Sequence, residues 1–491
     1  MFHEEDVGMS TRTTTLLFVA ACLTLLLAAP PRLQAATLVL SSTADSGPGS
    51  MREALADASS GDTIDATGLA GTITLTSGSL PISNDVTILG PGFATLTISG
   101  NSTSCVLEIT ATNAMIGGLT IANGSTTESG AGIRIGGDPD STVLIQSCVI
   151  RDNSATLDGG GIYNGSGVTL QIHGCIISGN TASRSGGAIY NDNAHLTISN
   201  STISSNTASV GGGGILNAGG STLAILQIDR STVNGNRAEY GGAIYNAGGS
   251  SASASLLNST LSDNSAHNTA GAVYNDAAWN DDLAQLEIYA CTLRGNTAGP
   301  GAAIYNDGRF GGNAEISIAN TILEAGDSKA NLRNDSGQVT SLGHNLSNDD
   351  GSGLLTHESD LIDTDPLLGP LQDNGGPTFT HALLAGSPAI DAGNSGALET
   401  AIGPDQRGLP RPIDDPVIDN ASGGDGTDIG AFELSPAMTI SRQKAKLRFS
   451  RPNADKLQLK ATLDLGEAFD PAGQSFNLDF AGATLALTLD A

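Results

Sequence analysis

The chain has 491 residues, enough for one large domain or for two to three ordinary ones. Glycine is abundant at 64 residues, whereas aromatic residues make up 4% and charged residues 14%, which excludes a helical bundle and favours short strands joined by tight turns. The formal net charge of −29 argues against binding to nucleic acid or anionic lipid, because both are negatively charged themselves.

The first 35 residues have the features of an export signal. Arg12 precedes an apolar run at residues 16–29, and the sequence LQA at residues 33–35 provides a small-residue cleavage site. We therefore predict a signal peptide at residues 1–35 and a secreted or cell-surface protein with no transmembrane helix after cleavage. The alternative is a lipoprotein signal at Cys22, although the apolar run continues beyond that cysteine.

Residues 50–64, SMREALADASSGDTI, predict one short helix. Ser50 followed by Glu53 has the spacing of a capping box, in which each residue satisfies a free backbone N–H of the first turn. The apolar residues of this helix would face inward, namely Met51, Ala54, Leu55 and Ala58. We expect the helix to cover the first exposed strand edge of the domain, because uncovered edges promote aggregation.

A six-residue sequence of the form GGxIYN then recurs with a period near 30 residues. The copies are GGGIYN at 159–164, GGAIYN at 186–191, GGGILN at 212–217, GGAIYN at 241–246, AGAVYN at 270–275 and GAAIYN at 301–306. Each copy is followed by a variable stretch and two short apolar strands, and no helical periodicity occurs between residues 72 and 323. Three short strands per period without a helix predict a parallel β-helix at residues 36–330, in which each repeat forms one coil.

Equivalent residues of the repeat should stack along the helix axis, ~4.8 Å apart. One column fills the interior with Ile162, Ile189, Ile215, Ile244, Val273 and Ile304. A second column, in which amides hydrogen-bond from coil to coil, contains Asn153, Asn180, Asn206, Asn236, Asn264 and Asn296. The loops after each IYN vary in length, and such insertions collect on one side of a solenoid.

Four cysteines follow the predicted signal peptide, and three of them occupy one column of the repeat. Cys148, Cys175 and Cys291 alternate there with Ser201, Ser231 and Ser259. Because serine replaces cysteine, the position requires a small residue, and we predict free buried thiols. A disulfide between Cys148 and Cys175 is the alternative, since adjacent coils bring them near each other and export permits oxidation.

The repeat weakens after residue 322. Residues 331–437 are rich in Gly, Pro, Asp and Asn, and we interpret them as irregular terminal coils and a C-terminal cover. Residues 438–491 alternate apolar and polar residues, for example Leu457, Leu459 and Ala461 with Gln458 and Lys460, which predicts a small antiparallel β module, possibly incomplete.

These motifs resemble those of known families. The GGA[ILV] and Ile-x-x-Asn repeats resemble polymorphic outer-membrane-protein repeats, whose usual form has Phe where this chain has Ile, Val or Leu. Residues 45–55, 365–394 and 425–433 are similar to a class of exported bacterial β-helix proteins, some named for a C-terminal anchoring domain. The resemblance implies a right-handed parallel β-helix, pectate-lyase-like in fold, in the bacterial envelope or beyond it. Residues 438–491 are too few for a C-terminal membrane barrel and lack aromatic girdles.

Two sets of residues are candidate sites. A stripe of tyrosines alternates with the inward isoleucines and should face outward, forming a surface for sugar stacking or a stack that shields the sheet: Tyr163, Tyr190, Tyr245, Tyr274 and Tyr305. Carboxylates in and after the longest loop could bind Ca²⁺ or form a solvated acidic loop: Asp276, Asp281, Asp282 and Asp307. Apart from Ca²⁺, no cofactor is expected. We also predict no catalytic residues, because the histidines and arginines, including Arg294, are scattered along the sequence.

The sequence therefore favours a non-catalytic surface protein that acts in adhesion or surface presentation and binds glycan or another cell surface. The alternative is a polysaccharide lyase or glycoside hydrolase on the same scaffold, since a fold by itself does not determine activity.

Overall fold

The computed structural model describes residues 35–277, 279, 281–299, 303–326, 330–396 and 402–435, together with four strands near the C-terminus. The predicted signal peptide thus lies outside the described residues, except for residue 35. Within the described part of the chain, no helix combines the length and the hydrophobicity needed to cross a membrane.

The described chain winds into a solenoid of about eleven coils, and each coil adds a strand to each of several parallel sheets. Sheet 1 contains, in spatial and chain order, Thr37–Val39, Thr63–Asp65, Val86–Leu89, Asn113–Gly117, Thr142–Gln146, Thr169–His173, His195–Ser199, Ala224–Asp229, Ser251–Leu257, Leu283–Tyr289, Asn313–Ala319 and Gln338–Ser341. Sheet 2 contains Gly71–Thr74, Leu96–Ser99, Thr120–Ala122, Val149–Arg151, Ile176–Ser178, Thr202–Ser204, Thr232–Asn234, Thr260–Ser262, Thr292–Arg294, Ile322–Glu324 and Leu346–Ser347.

Sheet 3 carries the IYN motif. Its strands are Leu80–Ile82, Leu107–Ile109, Ile133–Ile135, Ile162–Asn164, Ile189–Asp192, Ile215–Ala218, Ile244–Ala247, Val273–Asp276, Ile304–Asp307 and Leu332–Asp335. The register matches the predicted column, since Ile162 pairs with Ile189 and Ile189 with Ile215. The predicted parallel β-helix is confirmed.

A narrow fourth sheet, which the repeat analysis did not predict, lies between sheets 2 and 3 and has seven strands in the described residues. Its strands are Ser125–Thr126, Ser154–Ala155, Thr181–Ala182, Thr207–Ala208, Arg237–Tyr240, Ser265–Thr269 and Thr297–Ala298. Six of these seven strands directly follow a residue of the predicted asparagine column, whereas Ser125–Thr126 follows Gly124. The asparagine side chain fixes the preceding turn through hydrogen bonds to the next coil, and the residues after it are then aligned for pairing.

The interior of the solenoid is a continuous apolar core. Within one coil, Ile189, Ile198 and Ile203 point inward from three different sheets, and all three are fully buried. The corner between sheets 1 and 2 contains one residue with positive φ, for example Asn200 with φ 49°. Asparagine and glycine recur at this corner because they adopt the left-handed conformation at low cost.

The N-terminal end is covered as predicted by a helix, Met51–Asp57. Ser50 accepts a hydrogen bond from the backbone N–H of Glu53 at 3.2 Å, and the Glu53 carboxylate accepts one from the N–H of Gly49 at 2.6 Å. Met51, Ala54 and Leu55 are buried against the first coils.

The four cysteines among the described residues are free and buried, which confirms the prediction from serine replacement. The backbone N–H of Cys148 lies 3.4 Å from the sulfur of Cys175. In the next coil, the Ser201 hydroxyl takes the same place and accepts from the N–H of Cys175 at 3.0 Å.

Residues 366–396 and 402–435 do not continue as coils but pack along the side of the solenoid. An antiparallel hairpin, Leu368–Gln372 and Thr380–Leu383, lies over the outer face of sheet 2. The Thr232 hydroxyl donates to the carbonyl of Phe379 at 2.6 Å, and the Thr260 hydroxyl donates to Gln406 at 2.6 Å. The C-terminal region therefore covers the side of the solenoid, and a column of threonine hydroxyls on sheet 2 holds it there.

Two short 3₁₀ helices, Arg309–Gly311 and Gly351–Gly353, interrupt the loops. In the C-terminal region, the antiparallel pairs are Arg442–Arg448 with Lys456–Thr462 and Ser475–Phe480 with Ala483–Thr488. Antiparallel pairing was predicted for this region.

Candidate functional site: an aromatic platform on the solenoid

The outer face of sheet 3 carries the tyrosine column. Along each strand, the isoleucine and asparagine of IYN point into the core, whereas the tyrosine and the residue after the asparagine point outward. Paired positions from the first strand of sheet 3 to the last are Pro81, Glu108, Arg134, Tyr163, Tyr190, Leu216, Tyr245, Tyr274, Tyr305 and Arg333.

The tyrosines pack closely against one another. The ring centroids of Tyr163 and Tyr190 are 5.7 Å apart, and those of Tyr245 and Tyr274 are 4.9 Å apart. Tyr274 is 7% exposed and Tyr305 is 5% exposed. Neighbouring protein atoms cover the faces of these two rings. Both rings therefore lie beneath the outer surface and do not form part of it. Tyr163, Tyr190 and Tyr245 are half-buried.

The tyrosine hydroxyls hydrogen-bond to aspartates of the following coil. Tyr163 donates to Asp192, Tyr245 to Asp276, Tyr274 to Asp307 and Tyr305 to Asp335. Burial, together with the neighbouring carboxylates, raises the pKa of Tyr305 to about 12, which keeps its hydroxyl protonated as a donor. The ladder therefore ties adjacent coils together on their outer face.

Two of the four predicted calcium ligands, Asp276 and Asp307, accept hydrogen bonds in this ladder. Asp307 is fully buried and pairs with Arg309 at 2.5 Å, while it also accepts from Tyr274 at 2.8 Å. Burial acts to raise the pKa of Asp307, but the hydrogen bonds from Arg309 and Tyr274 outweigh it and lower that pKa. Among the described residues, no group of three or more His, Cys, Asp or Glu side chains is arranged to hold a metal ion. Binding of Ca²⁺ by Asp276, Asp281, Asp282 and Asp307 therefore stays a prediction.

The most exposed aromatic side chains of the described solenoid lie beside this ladder. Trp279 is 68% exposed and Phe310 is 65% exposed, and their rings stack with centroids 5.4 Å apart at an interplanar angle of 22°. They belong to the loops that join sheets 3 and 1 in two adjacent coils. We call this pair, Trp279 and Phe310, the aromatic platform.

The backbone holds the platform in place. Phe310 has φ 58° and ψ 22°, a left-handed conformation that is uncommon for a bulky residue. Gly312 packs directly on the neighbouring loop, where an added Cβ would overlap the carbonyl oxygens of Ala277 and Trp279. Such strain persists only where the surroundings enforce it, and it is concentrated at functional sites.

The platform is connected to the tyrosine column by a chain of contacts. Tyr274 donates to Asp307, Asp307 fixes the guanidinium of Arg309 through two of its nitrogens, and that guanidinium lies 5.9 Å from the ring centroid of Phe310. The buried Tyr274 is therefore linked to the exposed Phe310 ring through Asp307 and Arg309.

Comparison with protein families supports the fold. A family described as a right handed beta helix region matches residues 92–266. The solenoid is a right-handed parallel β-helix. Among solved structures, a PL6 family polysaccharide lyase from Pseudopedobacter saltans is similar, with 12% identity and a TM-score of 0.26 over 59% of this chain and 90% of that chain. No curated protein matches the chain.

The sequence analysis missed the platform. Trp279 is the only tryptophan of the chain, and it occupies the longest of the loops after the IYN strands. A lone tryptophan in an acidic, otherwise polar loop was the available signal. Phe310 lies 31 positions later, and only the stacking of coils places the two rings together.

The structure also gathers titratable residues that the sequence analysis described as scattered. A cavity of about 410 Å³ between sheet 2 and the C-terminal hairpin is lined by Asp263, Arg294, Glu324 and His381, among others. Arg294 lies 3.1 Å from the Glu324 carboxylate and donates to the carbonyl of Gly369. The prediction that arginines and histidines do not cluster was therefore wrong for Arg294 and His381, which are 87 residues apart in sequence.

The tautomer of His381 follows from its contacts. Its Nδ1 lies 2.8 Å from the carbonyl oxygen of Gly369, so Nδ1 carries the proton, and Nε2 lies 3.0 Å from the Ser262 hydroxyl oxygen. Burial lowers the pKa of His381 to about 4, which leaves the ring neutral. Burial also raises the pKa of Glu324, and the charge of Arg294 opposes this change.

A second cavity, of about 460 Å³, lies at the other end of the outer face of sheet 3 and includes Glu108, Glu128 and Arg134. Arg134 is already paired with Glu128 and donates to the carbonyl of Ser129 at 3.0 Å. The cavity is lined chiefly by serine and threonine, and neither cavity contains an exposed aromatic ring.

Proposed function

We propose that this protein is a non-catalytic, carbohydrate-binding β-helix that holds glycan on the aromatic platform. The observation that carries the proposal is the stacked and exposed pair of Trp279 and Phe310. The negative face of an aromatic ring attracts the weakly positive C–H groups on one face of a sugar ring, so an exposed ring favours sugar stacking.

The exposure of both rings has a cost, which argues for a role in binding. A large apolar side chain is stabilised by burial, by about 1.5–3 kcal/mol for a residue the size of Phe. Here two such rings lie in solvent, and Phe310 also has an unfavourable backbone conformation. Large exposed apolar patches in a soluble protein mark interaction sites more often than chance.

The cellular role is part of the proposal. An export signal at residues 1–35 would deliver the solenoid to the outside of the cell, where the platform could bind glycan of another surface. Adhesion and surface presentation are consistent with a long rigid rod whose binding residues lie in loops on one side.

The test is a glycan array with the purified protein and three variants. We expect Trp279→Ala and Phe310→Ala each to weaken binding of the best ligand by about tenfold or more, equivalent to ~1.4 kcal/mol. Phe93→Ala is the matched control, because Phe93 is also exposed, at 41%, but lies outside the platform. Circular dichroism should show unchanged folding for all three variants. Binding that survives both platform substitutions would contradict the proposal.

Product analysis of each bound glycan tests the alternative of a lyase or hydrolase. A non-catalytic protein returns every glycan intact. Shortened or unsaturated products would replace the proposal with an enzyme, and the cavity that contains Arg294 and Glu324 would then be the first region to mutate.

A further inference from the structure

The loops that form the aromatic platform are strongly acidic. Residues 276–283 and 307–313 contain four aspartates and a single arginine, Arg309. Asp281 is exposed and lies two positions after Trp279. The N–H of Asp282 donates to the carbonyl of Trp279 at 3.1 Å, which places its side chain on the same turn.

The one cation of these loops is neutralised. The guanidinium of Arg309 contacts both oxygens of the buried Asp307, with Nε to Oδ1 at 2.8 Å and Nη2 to Oδ2 at 2.5 Å. A guanidinium in this bidentate geometry has its charge compensated by the carboxylate. Arg309 therefore does not offer a binding site for an anionic group on a ligand.

The adjoining outer face of sheet 1 adds neutral amides and further carboxylates. Glu315 accepts from the amide of Gln285 at 3.3 Å and from that of Asn313 at 2.9 Å. Gln285, Glu287 and Asn313 are exposed. Carboxylates and amides are good partners for sugar hydroxyls, because a hydroxyl can donate to a carboxylate in a strong, charge-assisted bond.

We infer that the aromatic platform selects neutral, hydroxyl-rich glycans and discriminates against polyanionic glycans such as uronates. This inference rests on the proposed function, since it names the ligand class of the same site. Uncompensated carboxylates within ~8 Å of a bound anion repel it at physiological ionic strength. A neutral sugar meets no such repulsion, and its hydroxyls can donate to the same carboxylates.

The experiment compares matched ligands that differ only in charge. Uronate oligosaccharides are measured as free acids and as their methyl esters, beside neutral gluco-, manno- and xylo-oligosaccharides, at low salt. We expect the tightest ligand to be neutral, and each free acid to bind roughly tenfold more weakly than its methyl ester. Raising the salt concentration should narrow this difference and leave binding of neutral ligands unchanged.

The outcomes separate the inference from the proposed function. If a free-acid uronate binds more tightly than its ester, and Trp279→Ala abolishes that binding, the platform binds glycan but the inference is overturned. If no oligosaccharide binds, or if binding survives Trp279→Ala and Phe310→Ala, the proposed function fails and the inference fails with it.

A charge variant tests the cause. Asp281→Asn with Asp282→Asn should tighten binding of the free acids several-fold and change binding of neutral ligands less. The matched control is Asp138→Asn with Asp140→Asn, because Asp140 has φ 80° and Asp281 has φ 68°, and asparagine tolerates both. The control loop joins the same two sheets five coils away, ~24 Å along the axis at about 4.8 Å per coil. Equal effects of the two double variants would overturn the assignment of selectivity to the platform carboxylates.

Discussion

At the scale of single residues, buried asparagines connect the coils through two ladders. The first contains the predicted column from Asn153 to Asn296, and the second contains the asparagines of the IYN motif. Within the first ladder, the Asn206 side chain accepts from the N–H and the amide of Asn180 at 2.9 and 3.0 Å. It also donates to Asn236 and to the carbonyl of Ile177 at 2.9 and 3.0 Å. Every polar atom of this buried side chain is therefore used.

Replacing Asn206 with alanine should be strongly destabilising. The change leaves several buried donors and acceptors without partners, and each such group costs ~1–3 kcal/mol. We expect the free energy of unfolding to fall by about 3 kcal/mol or more in denaturant titrations. Thr207→Ala, at the next and exposed position, is the control and should change stability by less than ~0.5 kcal/mol. Similar losses for both variants would show that the ladder contributes little.

Phe310 links stability to binding at a single position. Glycine at residue 310 would remove the strain of φ 58°, whereas alanine would retain it. We expect Phe310→Gly to be more stable than Phe310→Ala by about 1 kcal/mol, measured by thermal unfolding, while both variants lose glycan binding. A glycine variant that is less stable than the alanine variant would show that Phe310 is not strained.

At the scale of elements, the C-terminal hairpin docks on sheet 2 through buried polar side chains. His381 is 3% exposed and bridges the hairpin to Ser262 of the solenoid. Gln406 extends the same contact by donating to Thr232 and Thr378 at 2.8 and 2.9 Å. The hairpin is therefore held by specific hydrogen bonds, and those of His381 join it to Ser262 and Gly369.

This docking predicts a pH dependence of stability. The pKa of His381 is lowered to about 4 in the folded protein from an ordinary value of 6.5. Between these values the unfolded chain binds a proton that the folded protein does not, so the free energy of unfolding falls as the pH falls from 6.5 to 4. The loss from this residue is up to about 3 kcal/mol.

The variant His381→Asn isolates that effect, because asparagine retains a donor toward Gly369 but does not titrate in this range. Unfolding titrations at pH 4 to 7 should show a weaker pH dependence for the variant than for the unmodified protein. His357→Asn, at an exposed histidine, is the control. If His381→Asn leaves the pH dependence unchanged, the contact with Ser262 is not formed by a buried neutral histidine.

At the scale of the whole molecule, the net charge of −29 opposes compaction. Mutual repulsion of like charges destabilises the folded state, and salt screens it over ~10 Å at 0.1 M. We expect the Tm to rise by a few degrees between about 10 and 200 mM NaCl. A falling Tm would show that attractive surface ion pairs, such as Arg151 with Asp152, dominate the response.

A comparison of divalent salts tests the calcium hypothesis within the same experiment. Asp276 and Asp307 accept from tyrosine hydroxyls, and Asp307 also pairs with Arg309. We therefore expect CaCl₂ and MgCl₂ at equal ionic strength to raise the Tm equally. A specific increase with CaCl₂ would indicate an oxygen-ligated Ca²⁺ site, since Ca²⁺ accepts more flexible coordination than Mg²⁺.

The sequence by itself determined the coil. Local patterns specify the inward isoleucines, the asparagine column and the free thiols, because each repeat has the same pattern. A local pattern also specifies the capping helix. Stacking of the coils adds only the register between strands, which the repeated pattern already specifies. The outward direction of the tyrosines follows in the same way from strand alternation, whereas their burial does not, because it depends on neighbouring coils.

Only the tertiary structure decided the sites. Trp279 and Phe310 meet because their loops lie in adjacent coils, and Arg294 meets His381 because the cover folds back along sheet 2. Irregular loops and a lateral cover have no repeating pattern, and their contacts join residues far apart in sequence. The positions of these loops and of the cover are therefore set by packing between elements, and this packing cannot be read from the sequence.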